Sequence, residues 1–83
     1  MTDNEIRLFE NLALKHMDKL YSQAIRLAGS TETAESLVQQ TYKLSYWRFE
    51  QFDKTADFEK WLIRNLAFIW ARTRFQGPLI AEG

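Results

Sequence analysis

The sequence has no cysteine and only one histidine, and these two absences exclude several kinds of site. Without thiols the chain can form neither a disulfide nor a thiolate metal centre. The single imidazole, His16, leaves too few ligands for a zinc site of the usual kind. No set of nucleophile, base and acid and no glycine-rich phosphate loop appears either. The residues therefore predict a protein that is not an enzyme and that holds no cofactor or metal.

Long apolar runs are missing as well. None approaches the ~20 residues that a membrane-spanning helix needs, and the opening stretch MTDNEIRLFE has neither the basic nor the apolar region of a signal peptide. Hydrophobic residues still make up 46% of the 83 positions and aromatic residues 14%, enough for one small folded domain. We expect a soluble, cytoplasmic protein with no membrane partner.

Glycine and proline are rare, and helical patterns fill the intervals between them. Apolar residues three and four apart predict a first helix from Asn4 to Ala28. Gly29 is expected to end it, because glycine accepts a left-handed backbone at little cost. Ser30 or Thr31 is expected to cap a second helix, which extends to about Gln51.

A third helix is expected from Phe58 to about Phe75, because the Gly77-Pro78 pair should stop it. Residues 1–76 then form one helical domain, and residues 77–83 form a loose tail. The apolar stripe of the first helix comprises Ile6, Phe9, Ala13, Met17, Leu20, Ala24 and Leu27. The stripe of the second comprises Ala34, Val38, Tyr42, Ser45, Phe49 and Phe52.

These stripes also predict the fold class. Three helices joined by short turns can bury such stripes only against one another. The sequence therefore predicts an all-α fold, a compact three-helix bundle.

Charge is balanced in number but not in position, with 11 basic and 11 acidic residues. No acidic residue occurs from Lys60 to Gln76, a segment that holds Lys60, Arg64, Arg72 and Arg74. Such a basic end suits contact with phosphates, while a solvated basic helix face is the alternative.

The stretch AESLVQQTY, residues 34–42, resembles the A-E-D-L-V-Q-E-T-F signature in region 2 of bacterial sigma factors, the extracytoplasmic-function group in particular. Six of its nine positions are identical, and Tyr42 closely replaces the phenylalanine. The segment FDKTADFEKWL is similar to that group's F-x-x-x-x-x-F-x-x-W-L stretch. The likeness covers roughly Leu20 to Arg74.

The resemblance implies a helical domain with two working surfaces. One docks on a coiled coil of the largest core subunit of RNA polymerase. The other binds the −10 element of a promoter, helps to open it, and holds a flipped-out base near the loop between Phe52 and Phe58. An anti-sigma factor and a separately supplied region 4 subunit are further partners that the resemblance suggests.

The polymerase-binding surface is expected on the second helix, in a set that comprises Glu35, Leu37, Gln39, Gln40, Leu44 and Trp47. Four of these, Leu37, Gln40, Leu44 and Trp47, share a face separate from the inward stripe. An exposed apolar face of this kind usually marks a protein interface, where tryptophan is a favoured anchor. The alternative is that the first helix or the tail covers this face.

The DNA-binding surface is expected to comprise Arg48, Lys54, Lys60, Arg64, Trp70, Arg72 and Arg74. The cations would hold phosphates without reading sequence, and Trp70 or Tyr46 would stack on an unpaired base. Phe52, Phe58 and Trp61 are interpreted as core residues rather than base-stacking ones.

The sequence also departs from the family pattern. Ser36 and Gln40 stand where the signature has acidic residues. In the third helix, Asn65, Leu66, Phe68 and Arg72 occupy the positions of the family's I-A-x-N-x-x-x-D, and the second domain typical of the group is absent from this sequence. Two other hypotheses therefore stay open. The chain could be a protein-binding module of sigma descent, either a co-sigma subunit or an anti-sigma-binding mimic, or it could be a homodimer that buries the apolar face of its second helix.

Overall fold

The computed structural model describes the backbone of residues 1–82 and the side chains of residues 1–74. It contains helices α1 (Asp3–Ala28), α2 (Thr31–Arg48) and α3 (Phe58–Glu82), with a 3-10 turn (Phe49–Gln51) after α2. Within the described backbone there is no strand. Each helix packs against the other two, which confirms the predicted all-α three-helix bundle.

The turn between α1 and α2 follows from two residues. Gly29 has a φ of 77°, in the left-handed region that glycine adopts without strain, and its N–H donates to the carbonyl of Ile25 at 2.8 Å. Ser30 caps α2, since its hydroxyl accepts from the N–H of Thr33 at 3.3 Å. Both predictions for this turn are confirmed, with Ser30 as the cap.

Phe9 of α1 lies at the centre of the core and is fully buried. Its ring meets Tyr42, Tyr46 and Phe49 edge-on at centroid distances of 5.2, 5.6 and 5.2 Å. Phe58 at the start of α3 adds a fourth edge-on contact at 6.2 Å. One ring on α1 thus joins α2, the 3-10 turn and α3, in the geometry that aromatic pairs prefer.

A buried polar pair joins α2 to α3. The side-chain amide of Asn65 donates to the hydroxyl of Ser45 at 2.9 Å, and both residues are buried. Thr41, one turn before Ser45, donates its hydroxyl to the carbonyl of Leu37 at 2.7 Å. These bonds satisfy polar groups that would otherwise be buried without partners.

Asn65→Ala is expected to lower the free energy of unfolding by about 1–3 kcal/mol, because it leaves the Ser45 hydroxyl without its partner. Urea denaturation followed by circular dichroism measures the change. Asn11→Ala, at an exposed position of α1, is the matched control and should change stability by less than about 0.5 kcal/mol. Equal stability of the two variants would contradict a structural role for the buried pair.

Two details of the sequence prediction are wrong. Leu27 was placed on the inward stripe but is 40% exposed, because the step of four residues from Ala24 leads to Ala28, which is partly buried. α3 does not stop at Gly77-Pro78 but continues to Glu82. A proline removes one backbone N–H and disfavours the preceding turn, yet a helix can continue past it. The predicted loose packing of residues 77–83 falls on side chains outside the described residues.

Candidate nucleic-acid pocket and protein-binding side

Hydrogen bonds from one aspartate shape the loop that precedes α3. The carboxylate of Asp53 accepts from the hydroxyl of Thr55 at 2.6 Å and from its N–H at 2.9 Å. The carbonyl of Asp53 accepts from the N–H of Ala56 at 2.9 Å. The hydroxyl and then the N–H of Thr55 are the largest causes that lower the pKa of Asp53. Asp57 then caps α3, accepting from the N–H of Lys60 at 3.1 Å.

Aromatic rings pack beneath this loop. Phe52 and Phe58 are buried, at 8% and 6% exposure, and their rings meet edge-on at 5.7 Å. Trp61 is half-buried, and its ring lies 4.5 Å from that of Phe52. The interpretation of Phe52 and Phe58 as core residues is confirmed, whereas Trp61 packs on the core and also reaches the surface.

A pocket of about 290 Å³ opens between this loop and the first turns of α3. Its lining combines aromatic, cationic, acidic and small residues: Gln51, Phe52, Asp53, Ala56, Asp57, Lys60, Trp61 and Arg64. The volume is at the small end of the range of ligand pockets. The pocket can therefore take a small planar group against an aromatic wall, with charged side chains at its edge.

The predicted DNA-binding cations fall into separate groups in the structure. Lys60 and Arg64 are exposed and line the pocket. Arg48 and Arg72 lie on the ring of Phe68, with centroid distances of 5.1 and 6.0 Å. A third contact pairs Arg74 with Trp70, whose ring is half-buried, at 5.6 Å.

Phe68 is a candidate site residue that the sequence analysis did not select. It is 42% exposed and lies between two arginines, a position in which a ring can stack on a base. A signal for it was present in the sequence, because Arg64, Phe68 and Arg72 follow one another at four-residue steps and share a helix face.

Lys54 does not occupy the position expected of a phosphate ligand. Its ammonium group donates to the carbonyls of Phe49 and Phe52 at 2.6 and 3.1 Å. It also lies 4.2 Å from the centroid of the Phe49 ring. The prediction that Lys54 faces DNA is therefore at odds with the inward direction of its side chain.

The protein-binding side of α2 is only partly as predicted. Glu35, Gln39 and Gln40 are exposed, Trp47 is 78% exposed, and Leu44 is half-buried. Leu37 is 1% exposed, so its assignment to this surface is wrong. The reason is that α2 lies against both α1 and α3 and buries a wider stripe than a helix with one neighbour.

Local bonds and a groove complete this side. Glu35 accepts a hydrogen bond from the hydroxyl of Tyr21 at 3.4 Å, and Gln40 donates its amide to the hydroxyl of Ser36 at 3.1 Å. Partial burial, followed by the nearby Glu35 carboxylate, raises the pKa of Tyr21. A groove of about 240 Å³ between α1 and α2 is lined by Met17, Val38, Gln39, Tyr42 and Lys43.

The lone histidine lies at the boundary between α1 and α3, as predicted. The Nδ1 atom of His16 is 3.3 Å from Oε1 of Glu59, and the ammonium of Lys19 is 3.8 Å from Oε2 of the same carboxylate. Among residues with described side chains, no group of three potential metal ligands comes together. No helix in the described part of the chain is both long and apolar enough to cross a membrane.

Comparison with known proteins adds no family assignment. No family model matches the chain, and no solved structure matches it. The likeness to sigma region 2 therefore rests on the sequence motifs alone.

Proposed function

We propose that this chain is a transcription-initiation module of the sigma region 2 type, which binds core RNA polymerase and holds opened −10 promoter DNA. The observation that carries the proposal is the pocket beside Trp61, with Lys60 and Arg64 at its edge. It lies at the loop between Phe52 and Phe58, where the resemblance implies a site for a flipped-out base. Motif and cavity support the same function independently, since one is a pattern of residue types and the other a shape.

The chemistry of the pocket suits a base better than a phosphate. Extruding a base costs a few kcal/mol of stacking and pairing, and stacking on a ring such as Trp61 returns about 1–3 kcal/mol. The carboxylates of Asp53 and Asp57 repel phosphate from the pocket and can accept hydrogen bonds from base amino groups. Lys60 and Arg64 are then available for the flanking phosphates.

Ala56→Phe is expected to weaken binding of an unpaired promoter strand about tenfold, because the added ring occupies the pocket without removing a core contact. Fluorescence anisotropy with a labelled single strand measures the affinity. Ala67→Phe is the matched control, at an exposed position of α3 that does not line the pocket, and should bind as the wild type does. Equal affinity of the two variants would remove the pocket from the proposal.

Arg72→Ala combined with Arg74→Ala is expected to weaken the same binding and to reduce its salt dependence, the slope of log K against log salt, by about 1. Both arginines are exposed, and each lies over an exposed or half-buried ring. Titration of affinity between low and moderate salt gives the slope. An unchanged slope would show that neither arginine meets a phosphate.

A second candidate is a protein-binding module of sigma descent that reads no promoter. The observation that favours it is Trp47, a large apolar side chain that is 78% exposed. The uncharged Ser36 and Gln40, joined by a hydrogen bond, replace acidic residues of the family signature on the same helix. Such a module would capture a protein partner yet show no DNA binding above background at moderate salt.

A further inference from the structure

Lys54 is the one predicted DNA contact whose charged group points into the protein. Its ammonium lies between the carbonyls of Phe49 and Phe52, at 2.6 and 3.1 Å, while the residue as a whole is exposed. The first carbonyl belongs to the 3-10 turn and the second to the residue that follows it. The lysine thus holds the end of one helical segment from a position within the next loop.

Three features make this position favourable for a cation. The last carbonyls of a helical segment carry partial negative charge and lack partners within the helix. Hydrogen bonds from a charged donor are stronger than bonds between neutral groups. The face of the Phe49 ring, 4.2 Å from the ammonium, adds a cation–π contact.

The consequence reaches the pocket through the chain itself. Lys54 follows Asp53, and Asp53, Ala56 and Asp57 line the pocket on the loop side. Phe52, whose carbonyl the ammonium holds, lines it on the aromatic side. A bond from Lys54 to Phe52 therefore fixes the loop wall of the pocket relative to the aromatic wall.

We propose that Lys54 is a positioning residue, which holds the loop wall of the pocket in place and does not itself contact phosphate. The DNA-binding part of this inference rests on the proposed function, whereas the loop-holding part does not. A phosphate ligand at this position would have to leave two carbonyls and a ring, so the bonded arrangement and a phosphate contact exclude each other.

Hydrogen exchange tests the loop-holding part without any DNA. Lys54→Met keeps the length of the side chain and removes the ammonium, and it is expected to accelerate exchange about tenfold at the amides of Phe52, Thr55 and Ala56. Lys60→Met removes a cation from the same pocket and should leave these amides at wild-type rates. Lys54→Arg, whose guanidinium can also donate to carbonyls, should restore protection. Wild-type exchange rates in Lys54→Met would overturn the inference.

Salt-dependent binding of an unpaired promoter strand separates positioning from phosphate contact. Lys54→Met is expected to weaken binding about three- to tenfold at every salt concentration, with the salt slope of the wild type. Lys60→Met is expected to lower that slope by about 0.7. A lowered slope in Lys54→Met would overturn the inference in favour of a phosphate ligand. If the wild type binds no strand, the proposed function fails, and hydrogen exchange alone decides whether Lys54 holds the loop.

Discussion

Phe9→Ala is expected to lower the free energy of unfolding by about 3–5 kcal/mol, the range for removing a fully buried phenylalanine. The ring of Phe9 contacts four aromatic rings on α2, the 3-10 turn and α3, so no single neighbour can move in to fill the space. A domain of this size has a total stability of roughly 4–12 kcal/mol. The variant should therefore be close to unfolding at 37 °C, which thermal denaturation followed by circular dichroism would show.

Phe68→Ala is the control for the loss of a phenylalanine as such. Phe68 is 42% exposed, and its truncation should change stability by less than about 1 kcal/mol. If both variants melted at the same temperature, Phe9 would not be the centre of the core.

Leu44→Glu combined with Trp47→Glu is expected to weaken capture of the polymerase coiled-coil fragment by more than about a hundredfold. Trp47 is the most exposed large apolar side chain among those described, and Leu44 is half-buried beside it on α2. Truncating one anchor of this kind usually costs 2 kcal/mol or more, and a carboxylate placed in an apolar contact adds a desolvation penalty. Biolayer interferometry with the purified fragment measures the loss.

Leu8→Glu combined with Leu27→Glu provides the matched control for those two charges. Both leucines are exposed on α1, at 41% and 40%, and neither belongs to the predicted docking surface. This variant should bind the fragment as the wild type does. Docking that survives the changes on α2 but not those on α1 would move the interface to the other helix.

The turn chemistry of this chain could be predicted residue by residue. Gly29 needed a left-handed backbone and Ser30 a hydroxyl at the start of α2, and both requirements are local properties of the sequence. The number of helices and most of the inward stripe followed from periodicity for the same reason. Pro78 misled because a proline states a local preference, while the structure continues the helix through it.

The width of the buried face on α2 could not be predicted. Periodicity identifies which residues share a face, but it does not say whether one neighbouring helix or two will cover it. Val38 and Leu37 are adjacent in sequence and point in different directions, and both are buried because α2 has neighbours on two flanks. Asn65 and Ser45 were similarly assigned no common role, since they lie far apart in sequence and meet only in the fold.

The site shows the same division between residue type and direction. Composition located the cations Lys60 and Arg64, and the structure brings both to the pocket. Composition could not tell that the flexible side chain of Lys54 turns to backbone carbonyls instead of solvent. It also missed Phe68, because an aromatic residue in a helix is more often core than surface.

Run-off transcription by core RNA polymerase, supplied with this chain and a separate region 4, examines polymerase binding and promoter opening in one reaction. The proposed function predicts promoter-dependent transcripts with the wild type and with Ala67→Phe, and a marked loss with Ala56→Phe. Transcript levels no higher than those of core polymerase alone would contradict it.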